Sequence, residues 1–339
     1  MLLGPQFYRD CWNYVRSINT KHEKNIHFAI QTNLLLYKTS VWKTVFKECF
    51  QGWISTSFDL HNTERFLKGS VSSYSSTFLN RLNMLLEDGG RPMVISTFTN
   101  SSITDAMDLY EFSASSKIPF DIRFNYRYPA GRAKSTSLDL LSPLAYGTML
   151  VELYNRWIID LPDFRITPLD QMLELVMNPG INRCPWTNSC NQSFLGIEPN
   201  GDLYNCSDFA YLESERYCFG NIFEQSVRLE PSVIAHSSSK MFYQNIHSTP
   251  ASRNHLLRSV RYGSECYRCD HVAECKGGCM RDSVLFDRGL YGTFYYCESW
   301  KLVFSRIKES VSSGEATAAI AKYGIQCARP SVSCAQCHV

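Results

Sequence analysis

The stretch CYRCDHVAECKGGC, residues 266–279, decides the fold of the C-terminal half of the chain. It places four cysteines in the spacing Cys-x2-Cys-x5-Cys-x3-Cys, with a glycine pair directly before the last one. At this cysteine content, such a run arises by chance in roughly one chain in a thousand. Short loops with glycines let the backbone bend around a metal centre, so the pattern predicts thiolate ligands.

Four further cysteines flank this run. Cys184 and Cys190 precede it, Cys206 ends the phrase Gly-Asp-Leu-Tyr-Asn-Cys, and Cys297 follows. Asn200-Gly201-Asp202 predicts a β-hairpin turn that presents Cys206 from a neighbouring strand. Eight thiols are enough for two sites of four, and spacing alone leaves zinc and iron–sulfur clusters equally open.

Composition indicates a globular protein in a reducing compartment. The 339 residues predict two domains or one large α/β unit, and 44% hydrophobic content excludes global disorder. A net charge of +2 gives no reason to expect nucleic acid or an anionic membrane as partner, and no apolar run reaches the roughly 18 residues of a membrane span. Met1–Pro5 lacks a secretion signal, so we expect a cytoplasmic protein with thiols available for metal rather than disulfides.

The cysteines divide the chain into two parts, because only Cys11 and Cys49 of the 14 lie before residue 184. From residue 7 to about 128, strand-like and helix-like segments alternate as in βα units. The predicted strands are Asn25–Thr32, Trp53–Phe58, Pro92–Phe98 and Phe120–Phe124, and the helices between and after them include Val41–Phe50, Tyr74–Glu87, Ile103–Ser116, Tyr146–Ile158 and Leu169–Met177. This order predicts a parallel sheet, open or closed into a barrel, with its chemistry at the carboxyl ends of the strands.

These motifs together resemble a known family. The eight cysteines, with Cys-Lys-Gly-Gly-Cys and Tyr-Tyr-Cys-x-Ser as they stand, resemble the SPASM domain of radical S-adenosylmethionine (SAM) enzymes of the anaerobic sulfatase-maturating and peptide-modifying branches. In the first half, four motifs are similar to the later units of that family's partial barrel: Leu2-Leu3-Gly4-Pro5, Gln31-Thr32-Asn33, the strand 54–59 and Gly131-Arg132-Ala133.

The resemblance implies an α/β fold with four regions. Residues 1–133 would form a partial radical SAM barrel that lacks its first units, and 134–180 a helical bridge. Residues 181–307 would form the SPASM domain with its β-hairpin and loops, and 308–339 a C-terminal helix and tail.

The resemblance also implies cofactors and site residues. Two auxiliary 4Fe–4S clusters would be held in an interleaved way, the first by Cys184, Cys190, Cys206 and Cys279, and the second by Cys266, Cys269, Cys275 and Cys297. Asn33, Ser57 and Arg65 would contact SAM, although Ser57 and Arg65 also fit as solvent-exposed polar residues. Asp208 would accept a proton near the first cluster, or else only cap a turn.

The implied function is that of an oxidoreductase that modifies a peptide or protein substrate by side-chain oxidation or cross-linking, with an external electron donor. Two alternatives stay open at this point. One is conversion of cysteine or serine to formylglycine in a sulfatase. The other is a non-catalytic iron–sulfur or zinc protein that binds a peptide or serves as a partner subunit.

The sequence departs from the family in several places. In the family, the Cys-x3-Cys-x2-Cys loop of the SAM-cleaving cluster and a Gly-Gly-Glu stretch lie upstream of the position of Leu2. We therefore expect the chain to begin inside the barrel. SAM and a third cluster would be used only when the missing first units of the barrel are present. Leu34 stands where the family usually has glycine, and Ser207 separates Cys206 from Asp208. The tail carries Cys327 and a Cys334-x2-Cys337-His338 pattern, which we expect to be a terminal extension with a weak tendency to bind metal.

Overall fold

The structure is a computed structural model that describes residues 1–20, 22–61, 63–130, 139–212, 214–223 and 246–326. It divides into two compact units, unit 1 with Met1–Arg127 and Met149–Asp170, and unit 2 with Tyr128–Thr148 and Gln171–Val339. The region 134–180 is therefore shared between the units. The Gly131-Arg132-Ala133 motif and the tail residues Cys327, Cys334, Cys337 and His338 lie outside the described residues.

Unit 1 is built on a parallel sheet. Its strands, in spatial order, are β1 (Ile30–Gln31), β2 (Ile54–Ser57), β3 (Met93–Phe98), β4 (Asp121–Tyr126) and β5 (Ile166–Thr167). All four neighbouring pairs are parallel, which confirms the predicted α/β class. The strand β5 was not predicted, because two residues are too few for a periodic pattern to be visible.

Helices alternate with these strands along the chain. They are α1 (Gly4–Asn19), α2 (Thr39–Cys49), α3 (Val71–Glu87) and α4 (Asp105–Ser115), and the unit boundary passes through α5 (Pro143–Asp160) and α6 (Leu169–Met177). The helix α3 begins after Ser70, whose hydroxyl accepts a hydrogen bond from the Ser73 backbone N–H. Its buried face includes Phe78, which stacks on Phe58, directly after β2, with ring centroids 4.4 Å apart.

The two faces of the sheet differ. On β4, the buried residues Ile122, Phe124 and Tyr126 alternate with partly exposed residues, and β3 alternates in a similar way. Since side chains of a strand alternate between faces, one face packs in the core of unit 1 while the other stays accessible. The accessible face carries polar residues that the sequence analysis singled out.

Leu34, the residue that replaces the family's glycine, has a left-handed backbone with φ = +58°. This conformation favours glycine, because a Cβ atom is crowded there. The Leu34 side chain is fully buried. Burial of a leucine side chain stabilises a fold by about 1.5–3 kcal/mol, and the backbone conformation costs about 1–2 kcal/mol, so burial outweighs the strain.

Unit 2 contains the cysteine-rich region. Its short antiparallel sheet consists of β6 (Gly196–Ile197), β7 (Asp202–Tyr204) and β8 (Gly220–Asn221), and Asn200-Gly201 forms the predicted hairpin turn between β6 and β7. The helices are α7 (Cys190–Ser193), α8 (Ser214–Tyr217), α9 (Pro250–Leu257), α10 (Val272–Cys275), α11 (Met280–Leu285), α12 (Cys297–Ser313) and α13 (Thr317–Lys322). In the described part of the chain, no helix has the length and apolar character that crossing a membrane requires.

A sharp turn separates the last two cysteines of the 266–279 run. Lys276, Gly277 and Gly278 are three consecutive residues in the left-handed region, with φ of 51°, 79° and 68°. A Cβ atom on Gly277 would lie 2.9 Å from Cβ and Cγ of Tyr262. The turn therefore needs glycine for both conformation and space, and it reverses the chain between Cys275, at the end of α10, and Cys279, at the start of α11.

We predict that Leu34→Ala is less stable than Leu34→Gly, the reverse of the order at an ordinary position. Both variants lose the buried side chain, at about 2–5 kcal/mol for alanine, but only alanine keeps the Cβ atom that makes φ = +58° unfavourable. Urea unfolding followed by fluorescence measures both. If alanine were the more stable of the two, Leu34 would not have this backbone conformation.

Substitution of Gly277 by alanine should destabilise unit 2 more than the same change at Gly289. Both glycines have positive φ, but a Cβ atom meets Tyr262 at Gly277 and nothing within 4 Å at Gly289. We expect about 1–2 kcal/mol for Gly289→Ala from conformation and a further ~1–3 kcal/mol for Gly277→Ala from overpacking. Equal losses in chemical denaturation would contradict the crowded turn.

Candidate metal centres and the sheet-end site

The residues predicted to contact SAM lie in unit 1, at the carboxyl ends of its strands. Ser57 ends β2 on the accessible face, and it pairs in register with Ile95, which in turn pairs with Arg123. Strands in a sheet lie about 4.8 Å apart, so Ser57 and Arg123 lie roughly 10 Å apart on the same face.

Arg65 is fixed at this edge by Asp59. The Asp59 carboxylate accepts hydrogen bonds from Arg65 Nε at 2.9 Å, from the Ser96 hydroxyl at 3.1 Å and from the Thr97 backbone N–H at 3.0 Å. Burial lowers the pKa of Arg65, but the charge and the hydrogen bond of Asp59, together with Tyr74, outweigh burial and the pKa is raised. Asp59 thus joins the ends of β2 and β3 and orients a cation there, a role that the sequence did not reveal.

Asn33 follows β1 and is exposed. Its side-chain oxygen accepts a hydrogen bond from the Leu35 backbone N–H at 3.3 Å, so it supports the turn around Leu34. Arg127, another arginine near the strand ends, pairs with Glu64 at 3.1 Å, the surface ion pair that is common for such residues.

In unit 2, one set of four cysteines surrounds a single cavity. Cys266, Cys269, Cys275 and Cys297 line one cavity together with Trp300 and Lys301. Cys275 ends α10 and Cys297 begins α12, while Cys266 lies in a short 3₁₀ turn, Ser264–Arg268. Burial raises the pKa of Cys297 to about 11, with the nearby Cys266 and Cys269 adding to the effect.

The second set consists of Cys184, Cys190, Cys206 and Cys279. Burial raises the pKa of Cys190 to about 11, and thiolate charge at Cys184 and Cys206 acts in the same direction. Burial also raises the pKa of Cys279, and Cys184 contributes there too. Cys184 also raises the pKa of Cys206. Its charge therefore acts on all three other cysteines of this set.

Two polar groups that the sequence analysis missed belong to these sites. The Asn205 amide donates a hydrogen bond to Cys190 Sγ at 3.2 Å. The buried Trp300 Nε1–H has no hydrogen-bond partner among the described residues, although Trp300 lines the four-cysteine cavity. A signal existed in both cases: Asn205 directly precedes Cys206, and Trp300 follows Cys297 by three residues on one helix face.

Asp208 lies beside the set that contains Cys206. It forms an ion pair with Arg281, with 2.8 Å between Oδ2 and Nη1, and Arg281 also pairs with the buried Asp282 at 2.6 Å. The Arg281 guanidinium lies over the ring of Tyr128, 4.4 Å from its centroid. The backbone N–H of Asp208 donates a hydrogen bond to Cys206 Sγ. The two residues are therefore in contact although one residue separates them in the sequence.

Known proteins with sequence similarity cover most of the chain. A cysteine-type anaerobic sulfatase-maturating enzyme of Clostridium novyi (strain NT) is 25% identical over 313 residues, which are 90% of this chain and 77% of the relative. The corresponding enzyme of Clostridium perfringens (strain ATCC 13124) is 24% identical over 311 residues, 89% of this chain and 77% of the relative. No family model matches the chain.

Solved structures agree with these relatives. Hexahistidine-tagged anSMEcpe with bound AdoMet matches with a TM-score of 0.74 at 19% identity, covering 95% of this chain and 82% of that protein. Native anSMEcpe with bound AdoMet and Kp18Cys peptide matches with a TM-score of 0.73 at 19% identity, covering 93% of this chain and 82% of that protein.

These matches confirm the predicted fold and the resemblance seen in the sequence motifs. They favour the sulfatase-maturating branch, which the sequence analysis held as an alternative to general peptide maturation. The chain has the fold of the radical SAM/SPASM sulfatase-maturating enzymes, and its curated homologues are enzymes of that kind.

Proposed function

We propose that the protein is a radical SAM/SPASM oxidoreductase that oxidises a cysteine of a peptide or protein substrate to formylglycine. The observation that carries this proposal is the gathering of eight cysteines into two sets in a chain whose homologues are cysteine-type anaerobic sulfatase-maturating enzymes. This activity is one case of a broader function, peptide maturation, which also includes other side-chain oxidations and cross-linking.

In this proposal each set of cysteines holds one auxiliary 4Fe–4S cluster. Cys184, Cys190, Cys206 and Cys279 bind the first, and Cys266, Cys269, Cys275 and Cys297 the second. The donors fit such a group, because four soft thiols line one cavity, and Trp300, whose buried N–H has no hydrogen-bond partner among the described residues, lines it too. An indole N–H that faces a cluster would find its hydrogen-bond acceptor in a sulfur.

The spacing of the sulfurs supports a polynuclear cluster over a single zinc ion. Every trio among the eight cysteines contains two sulfurs more than 4.8 Å apart. A tetrahedral zinc with bonds of about 2.3 Å needs sulfurs only about 3.8 Å apart. The cysteine sulfurs are therefore not spaced as they would be around one tetrahedral zinc ion.

AdoMet would bind in unit 1 at the accessible ends of the strands. Both solved structures of anSMEcpe described above contain bound AdoMet. Arg65, held by Asp59, offers a fixed cation for the carboxylate of AdoMet, and Ser57 offers a hydroxyl. The Asn33 side-chain oxygen is occupied by Leu35, which leaves its amide N–H groups to donate.

Bound AdoMet and a third cluster would supply removal of a hydrogen atom from the Cβ of the substrate cysteine, and the auxiliary clusters would accept an electron. Loss of that hydrogen atom, the electron and the thiol proton leaves a thioaldehyde, which water hydrolyses to the aldehyde with release of hydrogen sulfide. The chain's own residues orient the substrate and move its proton. Asp208 is the proton acceptor in this scheme, because it is a carboxylate directly beside Cys206. Arg281 keeps this carboxylate oriented through the 2.8 Å ion pair.

The proposal includes a peptide or protein substrate, an external electron donor and a reducing, cytoplasmic compartment. One of the solved structures contains the bound Kp18Cys peptide. Eight thiols that serve as ligands need a compartment in which disulfides do not form.

The test is to express the gene with its native upstream sequence in an anaerobic host, together with a peptide that carries one cysteine in a sulfatase-type sequence. We expect an aldehyde at that cysteine, detected by hydrazide labelling and mass spectrometry, and none when the cysteine is replaced by alanine. Cys275→Ser should abolish the product, because it removes a cluster ligand. Cys218→Ser is the matched control, because Cys218 belongs to neither set and should leave the yield unchanged.

Two results would contradict the proposal. A cross-link instead of an aldehyde would assign the protein to the broader class of peptide maturases. An unmodified peptide recovered in complex with protein that carries both metal centres would support the non-catalytic peptide-binding alternative.

A further inference from the structure

Arg258 is a buried cation at the C-terminal end of α9. Only 4% of its surface is exposed. Its Nη2 donates a hydrogen bond to the Gly277 carbonyl at 2.6 Å, and its guanidinium lies 5.7 Å from the ring centroid of Tyr262. Its other donors, Nε and Nη1, are buried and have no hydrogen-bond partner among the described residues.

This arrangement is unfavourable for the metal-free chain. Removal of a charged group from water costs several kcal/mol unless an opposite charge compensates for it. Among the ion pairs of the described residues, none joins a carboxylate to Arg258. Arg281, in contrast, is paired with both Asp208 and Asp282. Charge balance thus requires an anion beside Arg258 that these carboxylates do not provide.

The position of Arg258 identifies where this anion lies. The carbonyl that it contacts belongs to Gly277, two residues after Cys275 and two before Cys279, in the turn that separates the two cysteine sets. Burial lowers the pKa of Arg258, and thiolate charge at Cys266, Cys279 and Cys275 acts in the opposite direction. The Arg258 guanidinium therefore lies within electrostatic range of thiols of both sets.

We propose that Arg258 is the shared counter-charge of the two metal centres, and that it raises the reduction potential of both by donating N–H groups toward their sulfurs. This inference rests on the proposed function, because it needs both sets to hold clusters. A cluster with four thiolate ligands is anionic, and one-electron reduction makes it more so. A nearby fixed cation stabilises the reduced form more than the oxidised form.

The test uses the full chain, reconstituted anaerobically with iron and sulfide, in three variants. Arg258→Met removes the charge at similar length, and Arg258→Lys keeps the charge but removes the planar group. Arg253→Met is the matched control, because Arg253 lies on the same helix and is exposed. Dithionite supplies one electron to each centre and is oxidised to sulfite, while electron paramagnetic resonance follows the reduced clusters at set potentials.

We expect Arg258→Met to lower the ratio of reduced to oxidised cluster at a fixed potential about tenfold at both centres, a shift of 59 mV for one electron. Arg258→Lys should shift both centres less, and Arg253→Met should match the unmodified chain. Loss of both clusters in Arg258→Met with retention in Arg258→Lys would also support the proposal, because it shows that the charge is needed for assembly.

Other results overturn it. If the reduction potentials of both clusters are unchanged in Arg258→Met at full iron content, Arg258 does not compensate the negative charge of the clusters. Equal loss of iron from Arg258→Met and Arg258→Lys would indicate a packing role alone. If the unmodified chain binds no iron and sulfide, the proposed function itself is wrong. The iron and sulfide content of the unmodified chain therefore distinguishes failure of the proposed function from failure of the proposal for Arg258.

Discussion

The reversal of the chain at Lys276-Gly277-Gly278 is the constraint on which the cysteine-rich unit depends. Three successive left-handed residues turn the backbone within one short segment, so the thiols of Cys275 and Cys279 join different neighbours. Side chains at Gly277 and Gly278 would collide with Tyr262 and Phe294. A regular helix through this segment would place Cys275 and Cys279 on one face, one turn apart.

Other contacts connect this turn to the rest of unit 2. Lys276 Nζ donates to the Ile181 carbonyl and lies 3.3 Å from Asn182 Oδ1, shortly before Cys184. The Gly277 carbonyl accepts from the buried Arg258. This one turn thus positions Cys275 and Cys279, one cysteine of each set. It also positions the segment before Cys184 and the guanidinium of Arg258. Each of these contacts is lost if the backbone in the turn changes.

Much of the fold could be predicted from sequence, because helices and half-buried strands have visible periodicity. The helix Leu169–Met177 and the hairpin at Asn200-Gly201 follow from such local signals, while the two-residue β5 does not. Leu34 illustrates a different limit. A leucine in the sequence gives no sign of a left-handed backbone, which the structure has at this residue because burial of the side chain compensates for the strain.

The cysteines of the candidate sites could be predicted from the sequence, but the way they group in space could not. Spacing singled out the cysteines as candidate ligands, yet spacing alone could not divide them into sets, since Cys279 at the end of the 266–279 run has a thiol neighbour, Cys184, more than 70 residues earlier in the chain. Asp59, Asn205 and Arg258 act through contacts with residues that are close in space. Nothing in their sequence neighbourhood distinguishes Arg258 from the exposed Arg253.

The most direct test of this account is an anomalous diffraction measurement at the iron edge on crystals grown without oxygen. The account predicts two iron peaks, one ligated by Cys184, Cys190, Cys206 and Cys279 and the other by Cys266, Cys269, Cys275 and Cys297. A signal at the zinc edge alone, or one peak ligated by all four cysteines of the 266–279 run, would contradict it.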